Sequence, residues 1–228
     1  NGGNASREYA VEIVTPVLEY SDIPLLQEKS TRILYLVDFA AQASNLADAG
    51  ALNNWLDKAI TAAADLNLDG FAFTGIPLYG GTDAELAAHK EKSRLIVSRL
   101  SAAAGQDKLL IFEGDPAFVD AADQTKLSYI VLGTDVIDNA TDLKLQVSLT
   151  LSDGSVPQDK LLLAARIGKQ MNDEVDVKFD AVTLMTDYVA SLGPLGGLAI
   201  YAIGDDYYHS LRNYATTRSA IQLMNPAN

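Results

Sequence analysis

The chain of 228 residues contains no cysteine and only two histidines, His89 and His209. Without cysteine there is no disulfide framework, no thiol nucleophile and no thiolate metal site. The two histidines fall in different predicted helices, and no G-x-S-x-G segment supplies a serine partner for either of them. We therefore predict no metal site and no cofactor.

Basic side chains are also scarce. Seventeen Lys and Arg stand against thirty Asp and Glu, a net charge of −13 with His neutral. This balance excludes the basic footprint of nucleic-acid binding and attraction to an anionic membrane surface. No apolar run approaches the roughly 20 residues of a membrane span. Residues 1–8 have no apolar signal-peptide segment, and we predict a flexible leader or the cut edge of a longer precursor.

Glycine-rich nucleotide motifs are missing as well. No G-x-G-x-x-G follows an early strand, and there is no P-loop, which argues against a dinucleotide-binding fold. What is present is an apolar fraction of 48%, enough to bury a core. The length is slightly below the roughly 250 residues typical of a (β/α)8 barrel.

Seven short apolar runs recur along the chain with helical segments between them. Several are apolar at nearly every position, as in parallel strands covered on both faces. The predicted strands are Val11–Val14, Ile33–Phe39, Leu68–Phe73, Leu109–Phe112, Tyr129–Leu132, Leu161–Ala165 and Leu198–Ile203.

The intervening segments show helical periodicity. One stripe at i, i+3, i+4 and i+7 spacing contains Leu52, Trp55, Leu56, Ala59, Ile60 and Ala63. A capping box beginning at Thr82 opens a second helix, which is predicted to stop at Gly105. Further helices are predicted over Val177–Ala190, beginning near the acidic residues 173–176, and over Tyr207–Met224. The signal is weak between Val136 and Ser155.

This alternation predicts an α/β fold with a parallel sheet and right-handed crossovers. Either a barrel or an open doubly wound sheet could produce it. No linker or composition shift divides the chain, so we predict one domain over residues 9–228.

One segment carries a specific signal, L-D-G-F-A-F-T-G-I at residues 68–76. It resembles the fourth strand of family 18 glycoside hydrolases, the chitinases and endo-β-N-acetylglucosaminidases, whose signature is D-G-x-D-x-D-x-E. Upstream, K-S-T-R-I-L-Y-L-V-D-F at residues 29–39 looks like the third strand of that family. The resemblance implies a (β/α)8 TIM-type barrel and extends over the strand rhythm from about Val11 onward.

The chain departs from this signature where the family's chemistry resides. The resemblance implies that the final Glu protonates the leaving oxygen and that the preceding Asp holds the substrate acetamide, which is the nucleophile. Asp69 and Gly70 are kept, but the later carboxylates fall on Ala72, Thr74 and Ile76. None of these side chains can act as a general acid.

The pattern is most similar to a non-catalytic subgroup of surface glycan-binding lipoproteins that accompany outer-membrane glycan importers. The resemblance therefore implies an oligosaccharide ligand that contains N-acetylglucosamine and an importer as partner. It also implies a cell-surface, periplasmic or secreted location through a lipid-anchored precursor. We expect a monomer that does not bind nucleic acid.

Ligands of barrels bind beyond the carboxyl ends of the strands, where aromatic and planar polar side chains recognise sugars. The candidate ligand-binding residues follow the predicted strands in order: Asp38, Phe39, Thr74, Tyr79, Glu113, Asp135, Arg166, Asp205, Tyr207 and Tyr208. Asp205 or the adjacent Asp206 could instead cap the last helix. Trp55, the only tryptophan, is predicted to pack in the core.

Two functions remain open at this point, beside an unrelated α/β protein. One is capture of a glycan without cleavage, with no catalytic residue. The other is a glycosidase with relocated carboxylates, such as Glu113 with Asp205 or Asp135. The segment before the family's third strand is too short for two full βα units, so we predict a barrel that is incomplete or irregular at its N-terminal side.

Overall fold

The computed structural model describes residues 10–13, 21–39, 49–75, 82–152, 154, 156–193, 195–209 and 213–225. These residues divide into two compact units, Glu8–Ile130 and Val131–Asn228. The predicted single domain over 9–228 remains a prediction.

The first unit alternates strands with helices. Its strands are β1 (Ala10–Ile13), β2 (Arg32–Val37), β3 (Gly70–Thr74), β4 (Leu109–Glu113) and the start of β5 (Tyr129–Leu132); its helices are α1 (Asp22–Glu28), α2 (Ala49–Asp65), α3 (Asp83–Ala104) and the short α4 (Ala121–Gln124). Strands β1 to β4 pair in parallel in chain order. A 3₁₀ turn, Pro116–Phe118, follows β4.

The two faces of this sheet differ in burial. Val37, Phe73 and Phe112 form a buried row across β2, β3 and β4, and the rings of Phe73 and Phe112 lie 5.1 Å apart. The side chains that alternate with this row, such as Ala72 and Ile111, are half-buried. The second, more accessible face carries the polar side chains at the carboxyl ends of the strands.

Helix α2 buries most of the predicted apolar stripe. Leu52, Leu56, Ala59 and Ala63 are buried, whereas Trp55 is half-buried with its ring edge-on to Phe39. Trp55 was predicted to pack in the core, and in the structure it lies at the margin of the core.

The capping box of α3 is confirmed. The Thr82 hydroxyl accepts the Glu85 amide, and the Glu85 carboxylate accepts the Thr82 amide at 3.1 Å. The Thr82 hydroxyl also donates to the Glu85 carboxylate at 2.6 Å, and this hydrogen bond, together with the one from the Thr82 amide, lowers the pKa of Glu85. At the other end, Gly105 takes a φ of 67° as the C-cap, so both predicted ends of α3 are correct.

The Asp-Gly pair of the motif, Asp69 and Gly70, has a structural role at the amino end of β3. The Asp69 carboxylate accepts the Ile33 amide and the Gln27 side chain, each at 2.9 Å, and lies 3.3 Å from the Arg32 guanidinium. It thus joins α1 and the start of β2 to the start of β3. Gly70 follows with a φ of 148°, where a Cβ atom would lie 1.9 Å from the Leu109 carbonyl oxygen.

The second unit contains the end of β5 followed by helices α5 (Ala140–Ser152), α6 (Ala181–Leu192), α7 (Ile203–His209) and α8 (Ala215–Met224), and strands β6 (Leu161–Arg166), β7 (Gln170–Asn172), β8 (Lys178–Asp180) and β9 (Gly197–Tyr201). Strand β6 pairs with β9 in parallel. Strands β7 and β8 form an antiparallel hairpin in the connection from β6 to α6.

All seven predicted strands are present within two residues of their expected ends. Three helix predictions are corrected. Helix α5 lies in the segment of weak signal, because exposed Leu145 and Leu149 obscure the narrow buried stripe of the helix. Helix α6 begins only at Ala181, since Asp180 caps it by accepting the Thr183 amide.

The third correction concerns Tyr207–Met224, which is not one helix. It divides into α7 and α8, and Tyr214 just before α8 has a left-handed φ of 53° that a continuous helix cannot contain. The acidic residues 173–176 likewise form the turn of the β7–β8 hairpin instead of a helix start. Asp173 accepts the amides of Val175 and Val177 there.

The fold is α/β with a mostly parallel arrangement of strands. Seven βα units occur in the described residues, one of them before β2, and an eighth is not seen in that part of the chain. The full (β/α)8 barrel therefore stays a prediction. Among the described helices, none is long and apolar enough to cross a membrane.

Candidate functional site

Polar side chains form a row on the accessible face of the first unit's sheet, at the carboxyl ends of its strands. Thr74 is the last residue of β3 and is paired in register with Glu113, the last residue of β4. On the other side, the Thr74 hydroxyl lies 3.2 Å from the Asp38 carboxylate, directly after β2. The three side chains are half-buried. Three predicted site residues are thus brought together at the carboxyl ends of adjacent parallel strands, the usual ligand edge of α/β folds.

Strand β3 itself presents no carboxylate on this face. Ala72 and Thr74 are the side chains that point there, since Phe71 and Phe73 are buried on the opposite face. Asp69 lies at the amino end of the strand and is held by its structural hydrogen bonds. Ile76 lies outside the described residues. The row can accept and donate hydrogen bonds, and its carboxylates belong to the strands on either side of β3.

In the second unit, Asp135 and Arg166 form an ion pair with a distance of 3.2 Å between Oδ2 and Nη2. Asp135 follows β5, and Arg166 is the last residue of β6. The Asp135 side chain is 15% exposed and the Arg166 side chain 52%, so about half of the arginine side chain is accessible to solvent. The pair therefore presents acceptor and donor groups next to each other, as recognition of sugar hydroxyls requires.

The ring of Tyr201 packs against the Arg166 guanidinium of this pair. Tyr201 is the last residue of β9 and the register partner of Arg166, and the guanidinium lies 5.6 Å from its ring centroid. Such stacking restricts the guanidinium to a plane. The sequence reasoning missed Tyr201; its position at the end of the last strand was the available signal.

Lys169 completes the arrangement. Its ammonium donates to the main-chain oxygen of Asp135 at 2.7 Å and lies 3.1 Å from the Asp138 carboxylate. Lys169 is 20% exposed, whereas Asp138 is 84% exposed. Two cations therefore hold one residue, Arg166 through the side chain of Asp135 and Lys169 through its backbone.

The remaining candidates are placed differently. Phe39 is fully buried against Trp55, so its visible role is in packing. Asp205 is exposed in the first turn of α7, and Tyr207 is half-buried with its ring 5.1 Å from that of Tyr214. Tyr79 lies outside the described residues; Tyr208 belongs to α7, but its side chain is outside them too. As ligand contacts, all these residues remain predictions.

Neither Asp205 nor Asp206 caps α7, in which both lie. The buried Asp206 carboxylate instead accepts the amides of Thr217 at 2.8 Å and Thr216 at 3.3 Å, in the first turn of α8. Burial alone would raise the pKa of Asp206, but the hydrogen bonds from Thr217 and Thr216 outweigh this effect and lower the pKa. Asp206 thus caps α8, the helix that follows the one in which it lies.

We expect Asp206→Asn to lower the free energy of unfolding by about 1–2 kcal/mol at neutral pH, because asparagine is uncharged and has one acceptor oxygen where Oδ1 and Oδ2 of Asp206 each accept an amide. A lowered pKa in the folded state stabilises the protein above the unfolded value and loses this contribution as the pH falls through the folded value. The difference between wild type and variant, measured by urea unfolding, should therefore shrink below the ordinary pKa of 3.8. A difference that is constant from pH 7 to pH 3 would contradict this role.

A metal centre has no support in the described part of the chain. There, no three or more His, Asp or Glu side chains are placed so that they could hold a metal ion.

Comparison with known proteins finds similarity in structure but not in sequence. No family profile matches the sequence, and no curated protein sequence is significantly similar to it. Solved structures are similar at low identity. An endo-β-N-acetylglucosaminidase from Cordyceps militaris superimposes with a TM-score of 0.64 at 16% identity, over 91% of this chain and 76% of that one.

Two further structures agree in fold. Catalytic domain 2 of the Ostrinia furnacalis Group II chitinase, a mutant in complex with penta-N-acetylchitooctaose, has a TM-score of 0.65 at 11% identity, over 90% of this chain and 80% of that one. The Bacillus megaterium spore cortex-lytic enzyme SleL has a TM-score of 0.63 at 12% identity, with 96% and 68% covered. The fold is thus similar to that of endo-β-N-acetylglucosaminidases and chitinases, the class to which the motif pointed.

Proposed function

We propose that this chain binds glycans containing N-acetylglucosamine, of N-glycan or chitooligosaccharide type, and does not cleave them. The observation that carries the proposal is the accessible face of β3. Ala72 and Thr74 occupy it where the resemblance to family 18 glycoside hydrolases requires carboxylates. The similarity in fold to enzymes that act on such glycans supports the ligand class.

The polar groups at the strand ends suit a neutral saccharide. Asp38, Thr74 and Glu113 provide acceptors and a hydroxyl in one row, and the Asp135–Arg166 pair provides an acceptor beside several donors. Sugar hydroxyls and acetamide groups both donate and accept, so they can satisfy such mixed sets. The net charge of −13 disfavours an acidic glycan of high charge density.

The same residues argue against hydrolysis by the family mechanism. That mechanism needs a general acid in the position that follows Thr74 by two residues, where the sequence has Ile76. A positioned general acid alone contributes about 10²–10⁴-fold in rate. An aliphatic side chain cannot supply this contribution, and Thr74 donates its hydroxyl proton to Asp38.

One observation favours a second function, a glycosidase with relocated carboxylates. Glu113 lies beside Thr74 at the carboxyl end of β4, on the accessible face of the sheet. Within its own unit, the carboxylate aligned with Glu113 is Asp38, two strands away, or about 10 Å between backbones. Asp135 and Asp205, the partners considered from the sequence, belong to the second unit.

Binding and turnover measurements separate the two functions. We expect the chain to bind amino-sugar oligosaccharides on a glycan array and to release no product from a labelled N-glycan or chitooligosaccharide. Glu113→Gln, which keeps the shape of the side chain, should leave the absence of turnover unchanged. Cleavage by the wild type that Glu113→Gln abolishes would establish the glycosidase instead. Absence of binding to every amino-sugar glycan, with no cleavage, would reject both functions.

The resemblance also supports a location and a partner. We propose a lipid-anchored precursor, a cell-surface or periplasmic location and cooperation with an outer-membrane glycan importer. Metabolic labelling with a fatty-acid analogue in the native host tests the anchor. Co-purification of the importer with the tagged chain tests the partner.

A further inference from the structure

Thr134 connects the loop that follows β5 to the backbone of β6. Its side chain is fully buried, and its hydroxyl donates to the Ala164 carbonyl oxygen at 2.8 Å. Ala164 precedes Arg166 by two residues in the same strand, and Thr134 directly precedes Asp135. The hydrogen bond therefore joins the two segments that carry the ion pair.

Lys169 makes a second connection to the same loop. The Lys169 side chain is only 20% exposed, and its ammonium donates to the main-chain oxygen of Asp135 at 2.7 Å. Its contact with the highly exposed Asp138 carboxylate is a surface ion pair of low energetic value. The main contribution of the Lys169 side chain is thus its hydrogen bond to the Asp135 backbone, which holds the loop after β5 in place.

We infer that Thr134 and Lys169 are positioning residues for ligand recognition. They hold Asp135 against Arg166 before any ligand arrives, so that the pair meets a saccharide with its geometry already set. Prior ordering matters because each side chain that is immobilised only on binding lowers the affinity. This inference rests on the proposed glycan-binding function. It gives Thr134 and Lys169 a positioning role, in which they act through Asp135 and not through contact with the ligand.

The chain contains matched controls. Thr186 is also fully buried in the second unit, and its hydroxyl donates at 2.6 Å to the Val182 carbonyl oxygen within its own helix, α6. Thr186→Val therefore removes a buried hydroxyl without releasing the loop. For Lys169→Met the control is Lys144→Met, since Lys144 pairs with Glu174 and does not contact Asp135.

The first measurement needs no ligand. The Ile137 amide donates to the Thr134 carbonyl oxygen at 3.1 Å, so its hydrogen exchange reports on the order of the loop. We expect Thr134→Val to accelerate this exchange about fivefold, the factor that corresponds to one net hydrogen bond. Thr134→Ser, which keeps the hydroxyl, should restore slow exchange, and Thr186→Val should leave it unchanged.

The second measurement is the affinity for the best amino-sugar oligosaccharide found on the glycan array. Thr134→Val and Lys169→Met should each weaken binding about fivefold to tenfold. Thr134→Ser should rescue the affinity, and Thr186→Val and Lys144→Met should match the wild type.

The two measurements distinguish the failure of this inference from that of the proposed function. If the wild type binds no amino-sugar glycan, the proposed function fails, and the exchange of Ile137 still decides whether Thr134 orders the loop. Unchanged exchange in Thr134→Val overturns the inference. So does faster exchange with unchanged affinity, because the order of the loop would then not serve binding.

Discussion

Gly70→Ala should abolish folding or lower the free energy of unfolding by about 4 kcal/mol or more, beyond the usual range for a single substitution. The added Cβ atom would lie 1.9 Å from the carbonyl oxygen and 2.7 Å from the amide nitrogen of Leu109, both backbone atoms. The φ of 148° adds conformational strain, because L side chains rarely adopt it. To remove the clash, β4 would have to move away from β3, which would break the parallel ladder between them. Urea unfolding, or solubility and circular dichroism if no folded protein is obtained, measures the effect.

Gly105→Ala is the matched control for this change. Gly105 also has a positive φ, 67°, but an added Cβ atom would meet no atom within 4 Å. Its substitution should cost about 1–3 kcal/mol, since the combination of a φ of 67° with a ψ of −149° is almost confined to glycine. If the two variants lost equal stability, the close approach of β3 and β4 would not be the cause.

Arg166→Met should weaken binding of an amino-sugar oligosaccharide about 10-fold to 100-fold. The Arg166 side chain is half exposed while Tyr201 and Asp135 hold it in place, and a charged hydrogen bond contributes about 1.5–3 kcal/mol. Methionine keeps much of the apolar stem but donates nothing. Isothermal titration calorimetry gives the loss of affinity directly.

Stability and a second arginine serve as controls for this variant. Arg166 is half exposed, so the free energy of unfolding should change by less than about 1 kcal/mol. Arg99→Met removes an arginine that pairs with Asp57 in the first unit and should leave the affinity unchanged. An unaltered affinity in Arg166→Met would remove Arg166 from the recognition set.

Sequence periodicity was sufficient for the strands and for the best-marked helix. Parallel strands covered on both faces are apolar at nearly every position, which is why Leu109–Glu113 and Tyr129–Leu132 could be predicted to within a residue. The capping box at Thr82 is a local pattern, with both partners within three residues, and it was correct for that reason. Helix α5 was missed because exposed leucines break the expected pattern of one apolar face.

For the candidate site, the sequence could predict which residues lie at the carboxyl ends of the strands, but not which of their side chains are accessible. Topology places the residues after parallel strands at the carboxyl ends of those strands. This rule located Asp38, Thr74 and Glu113 in the first unit, and Asp135 and Arg166 in the second. It could not tell accessible from buried side chains, as Phe39 shows. Burial at an isolated position depends on what packs over it, and here that is Trp55, 16 residues further along the chain.

By itself, the sequence determined the α/β alternation, the resemblance of residues 68–76 to a glycosidase strand and the replacement of its carboxylates by Ala72, Thr74 and Ile76. Only the tertiary structure decided what the retained residues do. It assigns Asp69 to the joining of strand starts, Asp206 to the cap of α8, and Tyr201 and Lys169 to the support of the Asp135–Arg166 pair. The physical reason is that composition and periodicity record which side chains leave water, whereas a hydrogen bond also depends on a partner that chain folding brings from a distant position.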